Sequence, residues 1–148
     1  MKITIKWLKG KNACGEGVEW YKKTLGICEH NEILDLLIDQ KKYDWAIWLI
    51  TKVMGKKQCV ELAIFSAEQV IHIYKEKYLN DTRPQEAIQA AKNYLYKPSR
   101  AAAAAAYAAA ADAAAADAAA AAAAADYAVA GDNIKIAIIN YGKSLIKE

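Results

Sequence analysis

Cys14, Cys28, Cys59, His30 and His72 are the side chains of this sequence best suited to metal or nucleophile chemistry. A zinc site needs several N and S ligands at characteristic spacings. Cys28-Glu29-His30 brings two candidates together, but no C-x2-C or H-x3-H spacing accompanies them. Cys59 falls on an apolar helical stretch, where cysteine packs as a small hydrophobe. A Cys–His nucleophile pair would need His30 or His72 to reach Cys14 or Cys28, and nothing in the spacing sets that geometry. His72 stands four residues from both Glu68 and Glu76, which reads as a helix-surface pairing rather than a general base. The segment GKNACGEG lacks both the strand–loop–helix context and the Lys-Ser or Lys-Thr end of a phosphate loop. Asp35 and Asp39, one turn apart, read as the edge of a solvated helix face. The expectation is therefore a protein that is not an enzyme, with no catalytic, cofactor-binding or metal-ligating residue and no cofactor.

The elements that carry these residues are helical. Proline occurs twice, and strand-like alternation occurs once, at Ile3, Ile5 and Trp7. That alternation is short, and Thr4 capping a first turn that stops at Gly10 fits it equally well. Val18, Tyr21 and Leu25 fall on one stripe with Trp20 beside it, and Gly26 is a natural stop. Asn31 is expected to cap a helix whose apolar face is Ile33, Leu34, Leu37 and Ile38. Trp45, Trp48, Leu49 and Lys52 follow i, i+3, i+4, i+7, with Asp44 near the start and Gly55 at the end. A longer helix follows, with Leu62, Ala63, Ser66, Val70 and Tyr74 on its stripe. Thr82 stands three residues before Gln85, a capping-box spacing, with Pro84 in the first turn. Ile88, Ala91 and Leu95 give that helix its buried face, and Pro98 and Ser99 restart the chain. Asp132 or Asn133 is expected to cap the last helix, with Ile134, Ile138, Tyr141 and Leu145 in register. The fold class is all-α, a multi-helix bundle or array with a long alanine-rich helix. We expect one domain over residues 1–148. Mixed-composition helices fill 1–97, an alanine-rich helix or helix pair 98–131, and a C-terminal helix 132–148.

Twenty-four of the thirty residues from Ala101 to Ala130 are alanine. Alanine has the highest helix propensity, and a single helix of that length would reach about 45 Å. Its small radius lets a neighbouring helix approach to about 8 Å. Asp112 and Asp126 share one face of such a helix and Asp117 lies away from it, so one long helix and two shorter ones both fit. Each aspartate at the centre of a bilayer would cost about 2.5–3.5 kcal/mol, so the run is not expected to cross a membrane.

The net charge of +3 over 148 residues is mild. Arg83 and Arg100 are the only arginines, which disfavours bidentate reading of nucleic-acid bases. Lys2, Lys6, Lys9, Lys11, Lys22 and Lys23 make the N-terminal region locally basic, which reads as a solvated face. An odd number of cysteines without a secretory segment points to a reducing, cytoplasmic setting. Trp7, Trp20, Trp45 and Trp48 all fall in the first third, and serve either as core or as interface anchors.

Three elements carry a resemblance. Ala13, Cys14, Gly17 and Trp20 form an Ala-Cys-x-x-Gly-x-x-Trp element. Asp44, Trp45, Trp48 and Leu49 form Asp-Trp-x-x-Trp-Leu, and Asp81, Arg83 and Pro84 form Asp-x-Arg-Pro. With the alanine-rich tail dotted by Tyr and Asp, their order over about residues 4 to 130 resembles a bacterial and phage family of immunity proteins of polymorphic toxin systems. Members often continue Arg-Pro-Arg, where this chain has Gln85. The resemblance implies a protein that binds and blocks a toxin, or a phage accessory protein that binds a host protein, and brings no catalytic residues. The expected function is thus a non-catalytic protein-binding module, with contacts from exposed aromatics, lysines and the Asp-bearing helix face. Its protein-binding residues are unassigned by sequence. The alternative is a self-assembling module that forms a homodimer through alanine-rich faces. Neither nucleic acid nor a membrane is an expected partner.

Overall fold

The computed structural model describes residues 1–24, 28–104 and 128–146. The fold is all-α. The chain divides into two compact units, Met1–Met54 with Ile139–Glu148, and Gly55–Ile138.

The first unit begins with a two-residue strand β1 (Lys2–Ile3), paired antiparallel with β2 (Cys28–Glu29) so that Ile3 faces Cys28. Between them lie α1 (Ile5–Gly10) and α2 (Gly15–Thr24). Thr4 caps α1 as its sequence position suggests, its hydroxyl accepting from the Trp7 amide at 3.1 Å. Gly10 stays within the helix, and the reversal falls instead at Asn12, whose φ is 59°. Asparagine tolerates this left-handed region better than most residues. Val18 and Tyr21 are buried on one side of α2, as their spacing predicts, while Leu25 and Gly26 lie outside the described residues.

Helix α3 (His30–Asp39) buries Ile33, Leu34 and Leu37. Its cap is Glu29 rather than Asn31. Pairing with β1 leaves Glu29 extended, and the Glu32 carboxylate three residues on accepts from its amide at 3.0 Å. The chain then turns through Lys41, at φ 56°, into α4 (Tyr43–Val53). Tyr43, Ala46, Leu49 and Ile50 are the buried line of α4, and Trp45 and Trp48 are half-buried beside it. Ile3, Leu34, Ile50 and Ile139 are fully buried, and Leu145 nearly so. Ile139 and Leu145 belong to the last helix, α7 (Ala128–Ile146), where the Lys143 ammonium contacts the Asp35 carboxylate on α3. Asp35 and Asp39 are both exposed.

The hydroxyl of buried Tyr21 donates to the Ile3 carbonyl at 2.7 Å, and burial pushes that phenol's pKa up. Tyr21→Phe is expected to cost about 1 kcal/mol, read as a shift of the urea midpoint at unchanged slope.

The second unit is built on α5 (Lys56–Lys77) and α6 (Arg83–Tyr96). Gly55 ends the preceding segment and also starts α5, its amide donating to Gln58 Oε1 at 2.9 Å. Leu62 and Ile64 are buried, whereas Ala63 and Val70, expected on the buried stripe, are exposed. Apolar residues recur on several faces of α5, so periodicity alone does not select one. Helix α6 packs against α5, with a Lys92–Glu68 ion pair at 2.7 Å and the Lys56 ammonium 5.5 Å from the Tyr94 ring centre; Ile88, Ala91 and Leu95 are half-buried. Pro84 sits in the first turn as predicted. The Thr82 capping box does not form. Thr82 is in helical conformation and its hydroxyl donates to Glu86 at 2.8 Å, leaving Asp81 to accept from the Arg83 amide at 3.1 Å.

Ser99 accepts from the Ala102 amide at 3.0 Å and so caps helical residues 100–104, the restart read from Pro98-Ser99. Most of the Ala101–Ala130 run, including Asp112, Asp117 and Asp126, lies outside the described residues. Asp132 and Asn133 do not cap α7. The helix is already formed at residues 128–131, and it continues through both.

Candidate functional site

The candidates with catalytic chemistry are dispersed. Cys28 lies in β2, Cys59 on α5 in the other unit, and His72 is exposed on α5. His30 is buried in the first unit. The three cysteines form no disulfide. Among the described residues, no three His, Cys, Asp or Glu side chains are grouped to hold a metal ion.

The second unit holds a tight polar cluster. Arg83 grips Asp81 with two bonds, 2.9 and 2.6 Å, and the Tyr74 hydroxyl donates to the same carboxylate at 2.5 Å. The Arg83 bonds, then the Tyr74 bond, hold the Asp81 pKa well below the usual carboxylate range. Its charge is thus used internally, to fix the link between α5 and α6. Because the folded pKa is depressed, the cluster's stabilisation is complete above the ordinary aspartate value and is lost as pH falls through the folded one. Carboxyl carbon-13 titration is expected to find Asp81 still ionised at pH values below the usual aspartate range. Arg83→Ala is expected to move its midpoint back toward about 3.9.

The first unit holds a groove of about 300 Å³. Its floor is the core itself: Ile3, Leu8, Tyr21, Ile33 and Leu37. One wall comes from the α1–α2 turn and α2, through Asn12, Ala13, Cys14, Gly17 and Trp20. The other comes from α4, through Asp44, Trp45, Trp48 and Leu49. The Ala-Cys-x-x-Gly-x-x-Trp and Asp-Trp-x-x-Trp-Leu elements, about thirty residues apart in sequence, thus face each other across one cavity. Both elements stand out in the sequence, but their spacing does not predict that they meet.

Local bonds hold the walls. Trp20 and Trp45 meet edge to face, ring centres 5.9 Å apart, and the Trp20 indole donates to Gln40 Oε1 at 2.8 Å. Cys14 stands at the start of α2, where its carbonyl accepts from the Val18 amide at 3.0 Å and its sulfur lies 3.4 Å from the Gly17 amide nitrogen. A methyl group at Gly17 would come within 3.2 Å of that sulfur, so glycine keeps this wall close. The Lys42 ammonium lies 4.4 Å from the Trp45 ring centre, and that of Lys52 lies 5.9 Å from Trp48. None of the four tryptophans is fully buried. The cavity is apolar, aromatic and rimmed by cations. Among its described lining residues Asp44 is the one carboxylate.

Residues 33–135 match the model of a family described as a family of unknown function, DUF6931. The matched span includes the α4 wall of the groove and excludes the α2 wall. No curated protein and no solved structure matches the chain.

Proposed function

The chain belongs to DUF6931, a family whose description names no activity, and we propose that it is a non-catalytic protein-binding module that receives a partner's apolar side chains in the Trp20–Trp45–Trp48 groove. The observation that carries this reading is the convergence of two separated aromatic elements on one cavity. Tryptophan is seldom buried completely, but here three half-buried tryptophans gather at one concavity. Tryptophan, with tyrosine and arginine, is among the residues enriched at binding hot spots. The cavity also has about twice the volume of an engineered 150 Å³ pocket that holds benzene. It therefore suits one or two large side chains rather than a bulky cofactor. A toxin, which the family resemblance implies, is one partner within this reading, and the three unbridged cysteines suit a reducing cytoplasmic setting.

The test is a selection of displayed random peptides on the full chain, followed by binding measurements on Trp45→Ala and Trp48→Ala chains whose helical content is checked by circular dichroism. The reading expects peptides that bind the wild-type chain and lose affinity on both variants. Peptides that bind all three chains equally would overturn it.

A further inference from the structure

From the charges around the groove we infer the chemistry of its occupant: an acidic peptide segment that carries a large apolar anchor. The inference rests on the protein-binding reading above. The anchor enters the groove lined by Trp20, Trp45 and Trp48, and flanking carboxylates meet Lys41, Lys42 and Lys52.

The argument begins with the rim. Lys42 and Lys52 each lie over a groove tryptophan, so their ammonium groups are held beside the cavity. Lys41 joins Lys42, Asp44 and Trp45 around a smaller hollow of about 210 Å³, which shares Asp44 and Trp45 with the main groove. Three cations thus flank a concavity in which, among the described lining residues, Asp44 is the one carboxylate. On the α2 side, Glu16 and Glu19 lie next to wall residues in sequence, and Glu19 is occupied by Lys22 at 2.5 Å. A ring face neutralises a lysine only in part, and the ammonium keeps donors for a carboxylate. A basic segment would meet like charge here, which suppresses wrong partners. A purely apolar segment would leave the cations without their complement. Rim charges act mainly on association rate and on salt dependence, and that is where the inference is read.

The experiment uses the peptides selected on the full chain. Enrichment of Asp and Glu around a Leu, Phe or Trp is expected. For such a peptide, raising NaCl from 50 to 500 mM is expected to weaken binding about tenfold. The Lys42→Glu/Lys52→Glu chain is expected to weaken it about tenfold at low salt and to flatten the salt response. Lys52 is exposed and Lys42 half-buried, and neither belongs to the buried core, so this variant spares it. Groove-dependent peptides of neutral or basic composition, or binding indifferent to salt and to the double reversal, would overturn the acidic occupant and leave the protein-binding reading standing. A dimer of the chain in sedimentation that Trp45→Ala dissolves would make the occupant a second copy and also overturn it. Absence of any peptide sensitive to Trp45→Ala and Trp48→Ala would overturn both.

Discussion

Leu34→Ala is expected to lower stability by about 2–5 kcal/mol, enough to remove much of what a small domain has. Leu34 is fully buried on α3, in a core it shares with Ile3, Ile50 and Ile139. Truncation removes both the transfer free energy of the side chain and the contacts around the space it leaves. The effect is read from urea unfolding, which should give a lower midpoint. Ile33 and Leu37 of α3 and Leu49 of α4, buried on the same helices, also line the groove. A chain destabilised this far is expected to lose groove binding in proportion to its unfolded fraction and to regain it when a binder is in excess.

Trp45→Ala is expected to do the reverse, weakening a groove binder by roughly thirtyfold or more while costing less stability than Leu34→Ala. The binding figure follows from the 2 kcal/mol or more that a hot-spot tryptophan contributes, at about 1.4 kcal/mol per tenfold. Stability changes less because the ring is half-buried, paired with Trp20 and beside the Lys42 ammonium. The edge-to-face pair is worth about 0.5–1.5 kcal/mol. Isothermal titration on both variants, each paired with an unfolding curve, separates the two effects. A Trp45→Ala chain that binds as well as wild type would place the contacts elsewhere.

Much of the helical framework is legible in the sequence, because it is written in local signals. Thr4 and Ser99 cap where their types suggest, Pro84 opens a helix, and the spacing of Ile33, Leu34 and Leu37 marks a buried face. What was not legible depends on distant parts of the chain. The β1–β2 pair is two residues long on each side, and its partners are about twenty-six residues apart, too short to leave a period. That pair positions Glu29, and so displaces Asn31 from the cap of α3. Asp81 takes over from Thr82 because Arg83 and Tyr74 hold its carboxylate in place.

The groove shows the same division. Both aromatic elements stand out in the sequence. Their meeting depends on reversals at Asn12, a residue type suited to left-handed backbone, and at Lys41, which carries no turn signature of its own. The sequence spacing also placed Trp45 and Trp48 on the apolar stripe of α4. In the structure Tyr43, Ala46 and Ile50 take the core instead, and the two indoles flank the cavity.

The most direct measurement is nitrogen-15 NMR of the four indole groups during titration with a selected peptide. Trp20, Trp45 and Trp48 line the groove and Trp7 is not among its lining residues, so the protein carries its own control. The account predicts that the first three indole signals shift together and saturate while the Trp7 signal stays in place. Saturating binding that moves Trp7 alone, or leaves all four still, would contradict it.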